Sequence, residues 1–340
     1  MDGSSQTGID IAKSVFQLHG VDRDGEVVLA KKLNIGGFLK FLSNLPPCLI
    51  GMEACATSHH WARELSALGH NVRLIPPSYV KPYVKRQKND AADAEAICEA
   101  VGRSNMNFTP VKSPEQQSVM LLHRGRDLLM RQRSMLLNAM RAHLAEFGIA
   151  LPQGARHVAA YVERLQQGEV VDDALPTLAM RGLISMANQL DSLEREVCEI
   201  EAQLQQWHKT NAESQRLESI PGVGLITVTA LAASVCDPKQ FKSARHFAAW
   251  LGLVPRQNSS GGKERLGGIT KMGSYLRRLL VIGATSIIWH SSKQNHRTAR
   301  WVAVLKETKP HRLVTVAIAN KTARIVWALM NKGEPYKVPV

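Results

Sequence analysis

The chain contains few cysteines, and none of them lies in a CxxC pair. Its 340 residues include five cysteines, an odd number. Disulfide frameworks use cysteines in pairs, and zinc sites favour closely spaced cysteines, so the pattern argues against both. This usage is typical of a protein in a reducing compartment.

Long hydrophobic runs are also absent. The longest apolar stretches, Leu279–Trp289 and Gly224–Val235, are shorter than the roughly 20 residues that a spanning helix needs. The initial segment MDGSSQTGIDIAK shows no basic region followed by an apolar stretch, so no signal peptide is predicted. We expect a soluble, cytoplasmic protein with no membrane partner.

Acidic residues are the minority charge. The chain has 43 Lys and Arg residues against 29 Asp and Glu residues, a formal net charge of +14. This excess predicts a polyanionic partner such as nucleic acid; a solvated basic surface without a partner is the alternative. A chain of this length exceeds the usual single-domain size, so two or three domains are expected.

Strand and helix signals alternate over the first hundred residues, which predicts an α/β region. One strand is expected to begin at Gly8 and continue through Leu18, followed by a hairpin turn at Asp22–Gly25. Further elements are expected as a helix over 36–45, a buried strand over 48–53, a helix over 58–68, a strand over 71–75 and a helix over 89–102.

Four carboxylates lie in motifs of this α/β region: Asp10 in GIDIAK, Glu53 in LIGMEA, and Asp90 and Asp93 in KNDAADAEAI. Asp90 and Asp93 share one helix face, although Asn89 or Asp90 could instead serve as the helix cap. A hairpin, a strand ending in an acid and a closing helix with paired acids form the layout of a ribonuclease-H-like fold. Converging carboxylates repel one another, and their oxygens select Mg²⁺ or Mn²⁺.

The middle of the chain carries a helical pattern. Apolar residues follow a 3,4 spacing that is typical of a coiled-coil seam. An intramolecular helical hairpin or an intermolecular coiled coil would bury the seam. Its members are Leu183, Met186, Leu190, Leu193, Val197, Ile200, Leu204 and Trp207.

Arginines recur on the preceding helical segment, over residues 116–147. They could contact phosphates or form a solvated helix face. These residues are Arg124, Arg126, Arg131, Arg133 and Arg141.

The segment Ser219–Gly224, read as SIPGVG, resembles the turn of a helix-hairpin-helix module. Gly222 and Gly224 would let the backbone approach a phosphate at the start of the next helix. A plain tight connection between helices is the alternative.

A glycine-rich segment, GLVPRQNSSGGKERLGGITKMGSYLRR, contains adjacent serines among cations. We interpret it as a flexible loop in which Ser259 or Ser260 attacks a phosphodiester. A phosphate-binding loop whose serines only donate hydrogen bonds is the alternative. The cations of this segment are Arg256, Lys263, Arg265 and Lys271.

The ordered motifs GIDIAK, GMEA, KNDAADA, SIPGVG and the serine segment resemble the DEDD transposases of insertion-sequence family 110, within its 1111 subgroup, which are relatives of the Piv DNA invertase. The resemblance covers nearly the whole chain. It implies a RuvC-like (ribonuclease-H-like) domain over 1–112, a helical coiled-coil region over 113–215, and a mainly helical C-terminal transposase domain over 216–340.

The resemblance also implies roles and partners. Asp10, Glu53, Asp90 and Asp93 would hold magnesium, and the serine nucleophile falls at Ser259 or Ser260, with the subgroup pattern slightly favouring Ser259. A structured non-coding guide RNA would select donor and target DNA by base pairing, and dimers would join into a tetramer. The implied function is a bacterial DNA transposase that cleaves and rejoins strands; a RuvC-like nuclease or junction resolvase without a covalent intermediate is the alternative.

Overall fold

The structure, a computed structural model, describes residues 5–85, 89–168, 175–270, 274–290 and 297–337. The chain forms two compact units, Met1–Pro114 and Glu115–Val340. The boundary between them lies close to the one expected after residue 112. The second unit contains both the middle region and the C-terminal region, which are expected as separate domains.

A five-stranded mixed sheet forms the centre of the first unit. It consists of β1 (Gln6–Ile11), β2 (Val15–Val21), β3 (Val27–Asn34), β4 (Leu49–Glu53) and β5 (Asn71–Ile75). The strand order is β3-β2-β1-β4-β5. The pairs β1-β2 and β2-β3 are antiparallel, whereas β1-β4 and β4-β5 are parallel. The sheet therefore joins a local meander to two strands that arrive by crossover connections.

The first strand is shorter than expected. The predicted strand from Gly8 to Leu18 is in fact a hairpin, in which the backbone N–H of Ala12 donates to the carbonyl of Val15 at 3.0 Å. The next turn is as predicted, because Asp22 Oδ1 accepts hydrogen bonds from the N–H groups of Asp24 and Glu26, both at 2.9 Å. The side chain of Asp22 thus closes the β2-β3 connection.

Helices cover the sheet with two separate apolar clusters. The helices of this unit are α1 (Ile35–Ser43), α2 (Ser58–Ala67), α3 (Pro77–Val80) and α4 (Asp90–Val101). Residues of α1 and α2 form one cluster with Ile9 and Phe16, and the Phe16 and Phe38 rings stack at 3.9 Å. Residues of α4 form another cluster with Ile75. Side chains alternate between the two faces of a strand, so Gly8 and Asp10 lie on the opposite face from Ile9.

Glycines let α4 approach the sheet closely. A Cβ atom built on Gly8 would lie 2.2 Å from the carbonyl oxygen of Ala94, and one built on Gly51 would lie 2.7 Å from Val101 Cβ. Neither distance is compatible with a side chain at the glycine. The backbone of α4 therefore packs directly against β1 next to Asp10, and its Val101 side chain packs against Gly51 of β4.

Helices make up most of the second unit. They are α5 (Pro114–Glu146), α6 (Ala155–Gln166), α7 (Thr177–Thr210), α8 (Ala212–Glu218), α9 (Leu225–Ser234), α10 (Ala244–Trp250), α11 (Tyr275–His290), α12 (Arg297–Thr308) and α13 (His311–Lys332). The mixed sheet followed by a mostly helical remainder confirms the predicted α/β plus α class at that level.

Helices α5 and α7 run antiparallel within the chain. Arg126 pairs with Glu201, Arg133 pairs with Glu194, and Trp207 Nε1 donates to Glu115 Oε1 at 2.6 Å. The partners of residues further along α5 lie earlier in α7, as antiparallel helices require. Most residues of the predicted seam are buried in this arrangement, and Leu204 is fully buried. Five of the eight seam residues are thus buried within the chain itself, and the coiled coil remains a prediction.

A larger core joins the C-terminal helices. Buried residues of α9, α10, α11 and α13 form one cluster. Helix α13 is long and apolar enough to cross a membrane by length and composition, a test that the core helix of a soluble protein also passes. Here α13 packs against α10 and α11, and its residues Ile318 and Ala323 are buried in the core.

Candidate active site

Four acidic side chains come from three neighbouring elements of the first unit. Asp10 lies on β1, Glu53 is the last residue of β4, and Asp90 and Asp93 lie in the first turn of α4. Because β1 and β4 are adjacent parallel strands and α4 packs on both, the four positions share one face of the sheet. The sheet and the helix thereby bring together carboxylates that are up to 83 residues apart in sequence.

The cap of α4 is Asn89, whose side-chain Oδ1 accepts a hydrogen bond from the N–H of Ala92 at 2.8 Å. Asp90 is therefore a first-turn residue rather than the cap. Acidic side chains in a first turn are stabilised by the helix dipole. This stabilisation applies to Asp90 and Asp93 whatever else they bind.

The carboxyl group of Asp10 interacts electrostatically with the other three carboxylates. Its pKa is raised to about 6, first by burial and then by the charges of Asp93, Asp90 and Glu53. A hydrogen bond from the backbone of Ile11 acts in the opposite direction. Four acids that interact electrostatically in a half-buried setting favour either a bound proton or a bound cation.

The donor set fits a hard divalent cation in chemistry. All four groups are carboxylates, and Mg²⁺ and Mn²⁺ prefer oxygen ligands. Across the part of the chain that the structure describes, no three His, Cys, Asp or Glu side chains are arranged so that they could hold a metal ion as they stand. Binding at this site would therefore require rotation of the carboxylate side chains toward a common point.

The serine segment is a hydrogen-bonded β-hairpin rather than the flexible loop expected. The N–H of Asn258 donates to the carbonyl of Arg265, and the N–H of Gly267 donates to the carbonyl of Arg256, both at 2.8 Å. Residues 255–268 are solvent-exposed along both arms. The hairpin, defined here as residues 255–268, thus projects from the helices of the second unit as an ordered ribbon.

The hairpin turns at its two adjacent glycines. The N–H of Lys263 donates to the carbonyl of Ser260 at 3.1 Å. Between them, Gly261 and Gly262 have φ angles of +58° and +75°. Two left-handed residues define the two-residue turn that matches the twist of a β-ribbon, and glycine adopts it without steric cost.

The two serines occupy different positions on this ribbon. Ser259 Oγ accepts hydrogen bonds from the backbone N–H of Arg265 at 3.2 Å and from Gln257 Nε2 at 3.3 Å. Ser260 is the residue at which the turn begins. Successive residues of an extended ribbon point to opposite sides, so the two hydroxyls are not equivalent toward a phosphate bound on one side of the hairpin.

The predicted cations differ in their surroundings. Arg256, Lys263 and Arg265 are exposed on the hairpin. Lys271 lies outside the described residues.

The arginines of α5 also differ. Arg126 and Arg133 form ion pairs with α7, and Arg131 lies 3.7 Å from Asp127. Arg141 donates to the carbonyl of Gly154 at 3.2 Å, whereas the side chain of Arg124 is exposed. Two of these arginines thus help to hold α5 against α7.

The SIPGVG turn has a packing role. Gly222 has a φ of +75°, and a Cβ atom there would lie 2.7 Å from Ile287 Cδ1 of α11. In turn, a Cβ atom on Gly283 of α11 would lie 2.0 Å from the carbonyl oxygen of Gly222. Gly224 precedes α9 and has no such neighbour. The glycine at 222 is therefore required for contact between the turn and α11.

A buried polar network surrounds His123, whose partners the sequence did not indicate. His123 of α5 is fully buried; its Nε2 lies 3.1 Å from Thr229 Oγ1, and its Nδ1 lies 3.2 Å from the Tyr275 hydroxyl. The Thr229 hydroxyl donates to the carbonyl of Leu225 at 2.7 Å. The imidazole is thus neutral, with Nε2 donating to Thr229 and Nδ1 accepting from Tyr275. Burial, followed by the charge of Arg126, lowers the pKa of His123 to about 4.

The mixed sheet and its shared face of carboxylates fit the DEDD nuclease-like class of enzyme domain. Comparison with known proteins agrees. Residues 7–149 match a DEDD transposase family of the IS110 type, and residues 214–299 match the family described as Transposase IS116/IS110/IS902.

Similar proteins extend over the whole chain. A "Probable family 20 transposase" of Pseudomonas aeruginosa is 46% identical over 98% of both chains. The "Transposase for insertion sequence element IS1111A" of Coxiella burnetii is 38% identical over 97% of this chain and 90% of its own length. A "Pilin gene-inverting protein" of Moraxella bovis is more distant, at 20% identity over 97% of this chain and 96% of its own length. The chain belongs to the IS110 family of transposases and is an enzyme that acts on DNA.

Proposed function

We propose that this transposase cleaves and rejoins DNA strands at donor and target sites that a structured non-coding RNA specifies by base pairing. The observation that carries the catalytic part is the position of the four acids on one face of the sheet. The pKa of Asp10 agrees with it, since burial raises that pKa first and the charges of Asp93, Asp90 and Glu53 raise it further. Such mutual repulsion is expected of a site built for a cation, and a ribonuclease-H-like domain positions carboxylates for this purpose.

Asp10, Glu53, Asp90 and Asp93 would hold one or two Mg²⁺ or Mn²⁺ ions. When bound, the ions would neutralise charge on the scissile phosphate and lower the pKa of a coordinated hydroxyl. Burial, and then the charges of Asp93, Asp90 and Glu53, raise the pKa of Asp10 to about 6, so cation binding would displace a proton from this carboxyl only below about that pH.

The nucleophile is the hydroxyl of Ser259 or Ser260. Its oxygen forms a bond to phosphorus, the bond from phosphorus to one sugar oxygen of the DNA breaks, and the serine proton ends on that departing oxygen. The product is a phosphoserine diester that conserves the energy of the broken bond. Attack by a sugar hydroxyl of a second strand reverses these changes, releases serine and joins the new strands.

Two features of the hairpin support this role. The exposed cations Arg256, Lys263 and Arg265 can balance the charge that develops on phosphorus in the transition state. The glycine turn fixes the ribbon, so the serine approaches without a large loss of conformational entropy.

Nucleic-acid contacts are assigned to exposed basic surfaces. Arg124 on α5, with Arg131 nearby, and the turn at Gly222–Gly224 before α9 can meet phosphates. Arg126 and Arg133 belong to the same stripe, but their ion pairs with α7 reduce the charge that they offer. The net charge of +14 is compatible with simultaneous binding of DNA and guide RNA.

The proposed assembly is a homodimer that joins into a tetramer. A tetramer would hold donor and target sites together during exchange. Because the chain belongs to a transposase family, we place it in solution in the bacterial cytoplasm.

A suicide substrate tests the nucleophile. We expect the parent protein, with Mg²⁺ and its RNA, to form a covalent adduct on a nicked DNA substrate, with the modified peptide containing Ser259 or Ser260. One of the variants Ser259→Ala and Ser260→Ala will form no adduct, and the other will form less. Ser66→Ala, on an exposed position of α2, is the matched control and will react normally.

Cleavage without an adduct would overturn the serine mechanism. If both serine variants and the double variant cut DNA at the parent rate and leave free ends, the protein is a metal-dependent nuclease of the RuvC type that activates water.

A further inference from the structure

A large groove lies beside the base of the serine hairpin, within the second unit. Its volume is about 1750 Å³. Residues of α11, including Arg277 and Val281, line it together with residues of α13. Gly267 and Gly268, in the stem of the hairpin, line the groove directly, so the groove is continuous with the element that carries the serines.

Positive charge dominates the groove. Among its described lining residues there are five Lys and Arg side chains, with no Asp or Glu: Arg277, Arg278, Arg312, Lys321 and Arg324. Arg278 forms an ion pair with Asp127, and the buried Arg277 donates to the carbonyl of Gly252 at 3.1 Å, so Arg312 and Arg324 offer the more accessible charge. Arg312 and Arg324 are exposed on α13, and Val316 and Asn320 lie between them at intervals of four residues. This spacing places all four residues on one side of the helix, facing the groove. The charge suits an anionic ligand.

The deeper surface is apolar and carries an aromatic ring. Leu253, Val281 and Ile325 line it, and Trp301 of α12 lies under Lys321, whose Nζ is 4.5 Å from the ring centroid. A surface for duplex DNA needs phosphate contacts but no apolar recess. Apolar lining, an indole ring and surrounding cations match the chemistry of an unstacked nucleobase with its flanking phosphates.

We propose that this groove binds an unpaired nucleotide of the DNA strand being cut, next to the scissile phosphate. The inference rests on the proposed strand-cleavage function, because the hairpin would then hold the phosphate and the adjoining groove would receive its neighbour. The base takes the place of the Lys321 ammonium over the ring of Trp301 and stacks there, and Arg312 and Arg324 contact the flanking phosphates. Removing a base from the duplex there exposes the phosphate to the serine.

The experiment uses full-length protein and a single-stranded DNA oligonucleotide that contains 2-aminopurine. Binding is measured by fluorescence in a Ser259→Ala, Ser260→Ala background, in which no adduct forms. We expect Arg312→Gln with Arg324→Gln to weaken binding about tenfold or more and to reduce the slope of log affinity against log salt by about 1.4. Trp301→Leu is expected to lose the quenching of 2-aminopurine that stacking produces.

Arg195→Gln is the matched control, because it removes a charge from an exposed position on α7 outside the groove. Each outcome decides the proposal. Losses confined to the groove variants, and larger for single strands than for duplex, support it. Equal losses for duplex DNA, stronger binding of an RNA oligonucleotide of the same sequence, or no difference from Arg195→Gln would overturn it. Binding requires no reactive serine. A negative binding result for the groove therefore leaves the suicide-substrate result unchanged, and a negative suicide-substrate result leaves the binding result unchanged.

Discussion

Gly8 and Gly51 are paired neighbours on the parallel strands β1 and β4, and both lie beneath α4. Each glycine leaves room for the helix where a side chain would collide with it. Two residues further along each strand come Asp10 and Glu53. The close approach of α4 is therefore what brings Asp90 and Asp93 to the acids of the sheet.

We expect Gly8→Ala to lower the free energy of unfolding by about 1–3 kcal/mol, the usual cost of overpacking. The new methyl group would meet backbone atoms of α4, at 2.2 Å from the Ala94 carbonyl oxygen and 2.3 Å from the Cys98 nitrogen. Urea unfolding measures the change. Gly36→Ala in α1 is the control, since its Cβ atom would have no neighbour closer than 3.9 Å. Equal stability of the two variants would contradict the packing argument.

Asp10→Asn is expected to abolish strand cleavage while the fold is retained. The amide cannot supply the negative charge that holds a divalent cation, but it also removes repulsion from the neighbouring acids. The melting temperature without metal should therefore equal or exceed that of the parent. Glu99→Gln, an exposed acid of α4 that pairs with Arg103, is the control and should cleave normally. Full recombination by Asp10→Asn with added Mg²⁺ would show that the tetrad is not the metal site.

The buried imidazole of His123 makes stability depend on pH. Its pKa falls from 6.5 to about 4 on folding, so the unfolded chain binds more protons between these values. Stability is therefore complete above about pH 6.5 and is lost as the pH falls toward 4. Between about pH 7 and about pH 5 this group alone accounts for about 2 kcal/mol. His123→Gln removes the titration, so the free energy of unfolding of the variant should change less over that interval than that of the parent. Equal pH dependence of unfolding in the variant and the parent would refute this.

Leu193→Asp tests the buried seam between α5 and α7. Leu193 is 8% exposed, so the variant places an unpaired charge in an apolar contact and is expected to destabilise the second unit by several kcal/mol. Leu178→Asp, on the same helix with 80% exposure, should have little effect. Unfolding curves provide the comparison.

Sedimentation of the stable control variant tests separately whether the chain forms the proposed dimer.

Local signals predicted the bounds of two elements in the first unit, α4 and β5. The helix expected over 89–102 is observed over Asp90–Val101, because Asn89 caps it at one end and the helix ends before Gly102. The strand expected over 71–75 has those same bounds, set by Gly69 before it and Pro76 after it. Such boundaries can be predicted from the sequence because they depend on residues that are adjacent in the chain.

Features that depend on distant residues were not predictable. The Ala12–Ser14 turn lacks glycine and proline. The sequence therefore predicts one long strand where the structure has two strands joined by this turn. The partner of Arg126 is Glu201, 75 residues away, and the groove combines residues from Ala244 to Ala328. No local pattern records these contacts, because they arise only when separate helices pack.

The order of β-strand pairing has a consequence for synthesis of the chain. Contacts among β1, β2 and β3 are local, whereas β1 must wait for β4 and then for α4, which is the last element of the sheet-and-helix layer to leave the ribosome. Closing such long loops is slow relative to forming hairpins. A nascent chain that ends before residue 90 contains only half of the four acids and lacks the covering helix. The cluster of acids is therefore complete only once α4 has been made, and products truncated before residue 90 are expected to be unable to cleave DNA.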